Sequence, residues 1–250
     1  IKITNNPKIP NKINKVFYDK DLKAVEALDY LYQSGYDEKT LSQLLSVGVL
    51  GVKKNRRLVP TRFSITAVDD TIGKSIIDEI QDYSTINNYK LYFDGYLGNY
   101  YLVLLFPEVF SYELFETYLP ETIWNSSQLS SMTDYESVFG RKYYAEITAG
   151  GYYSARLGVL EHLRRIKKQA SALVLRFITS EYETPLGVWV TREATRKAMR
   201  NLILSFNNKE ELLLNARSFM DERFGYDISG ILKKSKLLNS LKQKKLSHFL

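Results

Sequence analysis

The feature that most constrains this chain is a pair of aromatic and aliphatic runs, residues 89–93 and 100–106, joined by Asp94-Gly95-Tyr96-Leu97-Gly98-Asn99. Aromatic and aliphatic side chains suit a pleated surface, and an Asp/Gly/Asn-rich connector reverses the chain. The pattern predicts a β-hairpin. Residues 173–178 read as another strand, 143–148 as a further one ended by Gly150-Gly151, and Val188-Trp189-Val190 as a short one after Pro185 and Gly187. Helical spacing runs over 21–33 with Leu22, Val25, Leu28 and Leu31, and again from Asp37. It recurs from Asp70 through Ile80, over 152–169 with Val159, Leu163 and Ile166, from Thr191, and over about 208–222 and 227–240. Residues 1–19 read as irregular, 61–68 as extended and 111–140 as mixed. There is no internal repeat and no clear linker within 20–230. The expectation is a single α+β domain, residues 1–232, with a β-hairpin or sheet and several packed helices, followed by a basic, flexible tail at 233–250.

Composition narrows the chemistry. The 250 residues are 44% hydrophobic and 25% charged, which excludes a disordered chain, a collagen and a disulfide scaffold. Cys is absent and His occurs twice, so thiol catalysis and Cys- or His-built zinc sites are excluded. Any metal would need carboxylates, which points to Mg²⁺ or Mn²⁺. The longest apolar run, residues 101–106, is far below the roughly 18 residues that span a bilayer, and no signal peptide opens the chain. No membrane association is expected. The net charge is +7, but residues 233–250 hold six Lys and no acid; removing those six from the 35 bases leaves 29 against 28 acids. The charge therefore sits in the tail, over a body close to neutral.

Several constellations carry possible chemistry. Ile72-Gly73-Lys74-Ser75 ends like a phosphate loop, but Val68 stands where the first Gly is needed, so the reading fails. Neither GxGxxG nor GxSxG occurs. The segment from Arg56 to Thr71 places Arg56, Arg57 and Arg62 ahead of the pair Asp69-Asp70. Arg forks grip phosphate, and paired carboxylates hold Mg²⁺; equally, an Asp caps a helix there and pairs with an Arg. The Gly150-Gly151 pair before a helix offers backbone amides to an anion, with Tyr152 beside it and Arg156 one turn inside. Arg192 lies at the start of the next helix. Arg164, Arg165, Lys167 and Lys168 read as a solvated face, and His162 as structural. The last eight residues, Gln243-Lys244-Lys245-Leu246-Ser247-His248-Phe249-Leu250, follow Q-x-x-ψ-x-x-φ-φ, the spacing of peptides that bind the sliding clamp PCNA. One short helical turn puts Leu246, Phe249 and Leu250 on one side as a plug, with Gln243 beside it. The same spacing also suits a terminal helix docked on its own domain.

Arg56-Arg57-Leu58-Val59-Pro60-Thr61-Arg62-Phe63-Ser64-Ile65-Thr66-Ala67-Val68-Asp69-Asp70 resembles the central motif of the archaeal NreA family of DNA repair proteins. Gly150-Gly151-Tyr152-Tyr153-Ser154-Ala155-Arg156-Leu157 and Pro185-Leu186-Gly187-Val188-Trp189, followed by Arg192-Glu193, resemble two further blocks in the same order. The resemblance spans roughly residues 50–250. It implies an archaeal, cytoplasmic, nucleoid-associated factor in the response to DNA damage, recruited by PCNA and acting on or binding DNA. Members commonly carry a Cys-rich, zinc-finger-like N-terminal segment. This chain has no Cys and opens on Ile1, so it reads as a processed or truncated product and no zinc function is carried over. Two readings follow for the Arg/Asp cluster, beside a third in which the body is a non-catalytic adaptor that binds another protein. In one, Arg56, Arg57, Arg62, Tyr152, Arg156 and Arg192 contact DNA phosphate in a clamp-tethered repair factor. In the other, the cluster with Asp69, Asp70 and Mg²⁺ serves an enzyme acting on a nucleotide or nucleic-acid phosphate.

Overall fold

The hairpin forms as its sequence requires. Strand β1 (Tyr89–Tyr96) pairs antiparallel with β2 (Asn99–Phe106) across a two-residue turn, Leu97-Gly98. Both turn residues have positive φ, 49° and 70°, as a tight hairpin turn needs. Gly98 meets a second constraint, because a Cβ there would lie 2.4 Å from the Tyr182 amide nitrogen. The computed structural model describes residues 8–120, 122, 131–184 and 186–242. The clamp-type peptide, Gln243 to Leu250, lies outside the described residues, as does Pro185. The chain divides into two compact units, Ile1–Ser75 and Ile76–Leu250. The class is α+β, as expected. No described helix is long and apolar enough to cross a membrane.

The first unit is helical. Residues 1–19, expected to be irregular, contain α1 (Asn11–Tyr18), with Val16 buried. Next come α2 (Ala24–Gln33) and α3 (Glu38–Ser46), the latter capped by Asp37, which accepts from the Thr40 amide at 2.7 Å. The stripe of α2 is Ala27, Leu28 and Leu31; Val25, placed on it from spacing, is exposed. The largest departure is α4 (Thr61–Ile80), a single 20-residue helix where residues 61–68 read as extended. The β-branched residues Ile65, Thr66 and Val68 suggested a strand. The buried positions Ser64, Val68, Ile72, Ile76 and Ile80 instead recur every four residues, the spacing of one helical face.

Among the described residues of the second unit, six strands form one sheet in the order β4-β3-β5-β2-β1-β6. They include β3 (Tyr112–Tyr118), β4 (Met132–Glu136), β5 (Ser171–Ile178) and β6 (Leu202–Phe206). Only β3 and β5 pair in parallel; the other neighbours are antiparallel. Helices α5 (Ala149–Arg165) and α6 (Val188–Ala198) pack together over one face. On that side Tyr92 meets His162, and the Tyr112 ring meets that of Tyr152 at 5.0 Å. The opposite face, with Phe93, Leu102, Phe115 and Leu175, forms one core with α7 (Lys209–Phe224), α8 (Ser229–Lys234) and α9 (Lys236–Ser240). Residues 143–148 form no strand. Val188-Trp189-Val190 are the first turn of α6, whose buried Val190, Ala194 and Ala198 again recur every four residues.

The basic run from Lys233, expected to open a tail, stays on the body as far as the described residues reach. Leu237 and Leu238 are buried, and Ser235 caps α9. The fixing group is Glu113, fully buried on β3. It accepts from Ser235 Oγ at 2.5 Å and from the amides of Lys236 and Leu237 at 3.0 Å each. A carboxylate at a helix N-terminus satisfies orphan donors that the sheet cannot. Glu113→Ala is expected to lower the unfolding free energy by about 3 kcal/mol, because it leaves a buried hydroxyl and two amides without an acceptor. Urea titration checks the magnitude. Hydrogen exchange of residues 236–241 should rise in the same variant.

His162 sits on α5 with 8% exposure. Its Nδ1 lies 2.9 Å from an Arg165 Nη, which only donates, so Nδ1 accepts. The proton is therefore on Nε2, 3.2 Å from the Tyr92 hydroxyl. Burial, aided by Arg165 and Lys90, pushes the imidazole down to about 4. The unfolded chain binds this proton first, so the neutral ring's contribution is complete above about pH 6.5 and is lost as pH falls toward 4. The loss is expected to reach about 3 kcal/mol. Denaturation midpoints of the native chain and His162→Gln, measured from pH 7.5 to 4, should converge across that window.

Candidate functional site

Strand β5 reads Ser-Ala-Leu-Val-Leu-Arg-Phe-Ile, with every residue buried. Its one charged residue, Arg176, lies in register between Tyr101 of β2 and Glu116 of β3. Arg176 Nη1 donates to Glu116 Oε1 at 2.6 Å. Its Nε donates to Asn99 Oδ1 at 3.0 Å, and Nη2 donates to the same oxygen. Burial alone would lower the guanidinium's affinity for its proton, but Tyr101 and Glu116 carry it above its ordinary range. The Tyr101 phenol is pushed up to about 12 by burial and stays neutral. A polar row thus crosses the middle of the sheet on the α5–α6 side.

Two helices end above this row. Ser154 and Thr191 hydroxyls hydrogen-bond, a Cβ on Gly158 would approach Thr195 at 3.1 Å, and Arg196 Nη2 meets Glu161 Oε1 at 2.7 Å. Both chains advance together through these contacts, so α5 and α6 run parallel and start at the same end. At that end lies a cavity of about 320 Å³ lined by Glu116, Tyr118, Gly151, Arg176, Tyr182, Gly187, Val188 and Thr191. Gly151 is required by the approach: a Cβ there would stand 2.5 Å from Glu116 Oε1.

The acids of β4 fix the start of α5. Asp134 accepts from the amides of Ile147 and Thr148, from Thr148 Oγ1, and from Arg141 Nη2 at 3.0 Å. Glu136 accepts from the Tyr152 hydroxyl at 2.9 Å and from Arg156 Nη1 at 2.6 Å. Tyr152 and Arg156, expected to face an anion, are buried supports of the helix instead, and Arg156 is 1% exposed. Arg192 is likewise buried on α6. Of the Gly150-Gly151 pair, Gly151 lines the cavity. The cavity's charged residues, Arg176 and Glu116, were not singled out from the sequence; the available signal was one Arg in an otherwise apolar strand.

The other expected site lies in the first unit and separates into different roles. Arg56 donates to the carbonyls of Gly51, Phe17, Val16 and Asp19, closing the C-terminal end of α1. Arg57 and Arg62 are exposed, and the Arg62 guanidinium lies 4.6 Å from the centre of the Phe63 ring. Asp69 is buried, while Asp70 pairs with Lys74 at 2.7 Å. As neighbours on a helix, Asp69 and Asp70 point about 100° apart and do not form a pincer. Among the described residues no three His, Asp or Glu side chains converge to hold a metal ion. Asp69 and Asp70 thus face different surroundings, one buried and the other paired with Lys74.

Residues 1–125 match the family described as archaeal Nre, N-terminal, and residues 136–249 match archaeal Nre, C-terminal. The chain is 41% identical over 249 residues to the DNA repair protein NreB of Archaeoglobus fulgidus, covering 99% of this chain and 62% of that protein. It is 42% identical over 216 residues to NreA of the same organism, covering 86% and 55%. It is 40% identical over 199 residues to NreA of Haloferax volcanii, covering 78% and 47%. The chain therefore spans less than two thirds of each of these relatives. No solved structure matches it. With the two family matches between them taking in nearly every residue, the chain belongs to the archaeal Nre family.

Proposed function

We propose that this chain is a DNA-repair factor that its C-terminal peptide tethers to the sliding clamp PCNA. The observation that carries the reading is the 41% identity, over nearly the whole chain, to a protein named for DNA repair. The terminal spacing supports the tether: Gln243, Leu246, Phe249 and Leu250 follow directly on a segment that Glu113 fixes to the sheet. An apolar plug of this kind draws its affinity from one buried aromatic anchor. Phe249→Ala is expected to weaken binding to PCNA by at least about 2 kcal/mol. Calorimetry of the full chain with PCNA measures this, and an unchanged affinity would remove the tether from the reading.

For DNA contact, Arg57 and Arg62 are the exposed members of the first-unit cluster. Arg56 is committed to backbone carbonyls and acts in folding. The Arg57→Ala, Arg62→Ala double variant is expected to reduce the slope of log K against log salt by about one to two units, one for each phosphate no longer neutralised. Titration of a DNA duplex at several salt concentrations reads the slope. A Mg²⁺-dependent enzyme built on the same cluster gains nothing from the geometry, since Asp69 and Asp70 diverge.

A further inference from the structure

The cavity at the start of α5 and α6 has a ligand chemistry of its own. Both helices lack a side-chain cap and an acid in the first turn. The amides of Ala149, Gly150 and Gly151 on α5, and of Val188, Trp189 and Val190 on α6, have no acceptor among the described residues, and of these six residues Gly151 and Val188 line the cavity. Such amides, backed by the helix dipole, favour a phosphate.

The second observation lies in the floor. Arg176 has five N–H donors, of which Asn99 and Glu116 take three; two have no acceptor among the described residues. Glu116 spends Oε1 on Arg176, and its Oε2 has no partner among the described residues. Both side chains are more than nine-tenths buried, and both line the cavity. These remaining groups face the cavity and not a further protein partner among the described residues. Here the pair offers spare donors beside a spare acceptor, the complement of a heterocyclic base edge. Tyr118 and Tyr182 add aromatic lining, and the volume is that of a small ligand.

We propose that this cavity takes one nucleotide, its phosphate on the first-turn amides of α5 and α6 and its base edge on Glu116 and Arg176. The nucleotide has two possible sources: a free mononucleotide, or a residue extruded from a DNA strand. The first source does not rest on the DNA-repair reading, so failure of that reading leaves this arm standing.

Calorimetry of the full chain with each of the four deoxynucleoside monophosphates, and with inorganic phosphate, tests the free source. A single strand carrying 2-aminopurine tests extrusion by its fluorescence. Two variants report on the cavity. Glu116→Gln keeps the shape and removes the carboxylate charge. Val188→Pro deletes one amide at a helix position where Pro is well tolerated. Thermal unfolding confirms that each variant is folded, and either variant alone suffices. The expected result is that one mononucleotide binds at least tenfold tighter than phosphate, or that 2-aminopurine brightens on binding, and that a folded variant weakens the effect at least tenfold. Equal binding of phosphate and all four mononucleotides, without brightening, would reduce the cavity to an anion cradle and overturn the proposal. So would no response to any probe, or a response that both variants leave unchanged.

Discussion

The Arg176–Glu116 pair is the interaction on which the α5–α6 side of the sheet depends. Two charges in the middle of a sheet are expensive to desolvate, and they hold only if each satisfies the other. Register does this: β2, β5 and β3 bring Asn99, Arg176 and Glu116 within hydrogen-bonding distance. The pair in turn dictates what lies above it. Gly151 must be glycine because Glu116 Oε1 occupies the space a Cβ would need. The start of α5 therefore seats directly on the ion pair, with Asp134 holding the residues just before it.

What the sequence discloses depends on whether a residue's partner is near in the chain. The hairpin at 89–106 was legible because its turn and both strands are contiguous. Helix α5 was legible from the spacing of Val159 and Leu163, although it ends at Arg165, short of the expected 169. Strand β3 was not, because Tyr-Glu-Leu-Phe-Glu-Thr-Tyr places acids at positions that the sheet buries. Glu113 is explained by amides 123 and 124 residues away, and Glu116 by an Arg 60 residues away. No local pattern predicts that a buried acid will be met from so far along the chain.

The candidate site was legible in part for the same reason. Gly150-Gly151 announced a helix start, since that signal is local. Arg156, four residues after Tyr152, looked like a ligand on the same turn. Its actual partner, Glu136, lies on β4, inside a stretch that read as mixed. At α4 the error ran the other way. β-Branched residues are weak evidence against a helix, and burial at every fourth position from Ser64 to Ile80 overrode them.

Strand β3 joins the two functional readings physically. Glu113 points to the α9 face and Glu116 to the α5–α6 face, as residues of opposite parity on one strand must. One carboxylate fixes the segment that leads to the terminal peptide; the other forms the floor of the cavity. A one-residue shift of β3 against β5 would send each acid to the wrong side, leaving α9 without its anchor and Arg176 without its counter-charge. The two buried acids therefore act as register pins, each opposing the slip from its own face. In this register Glu116 meets Arg176 on the α5–α6 side while Glu113 meets α9 on the other.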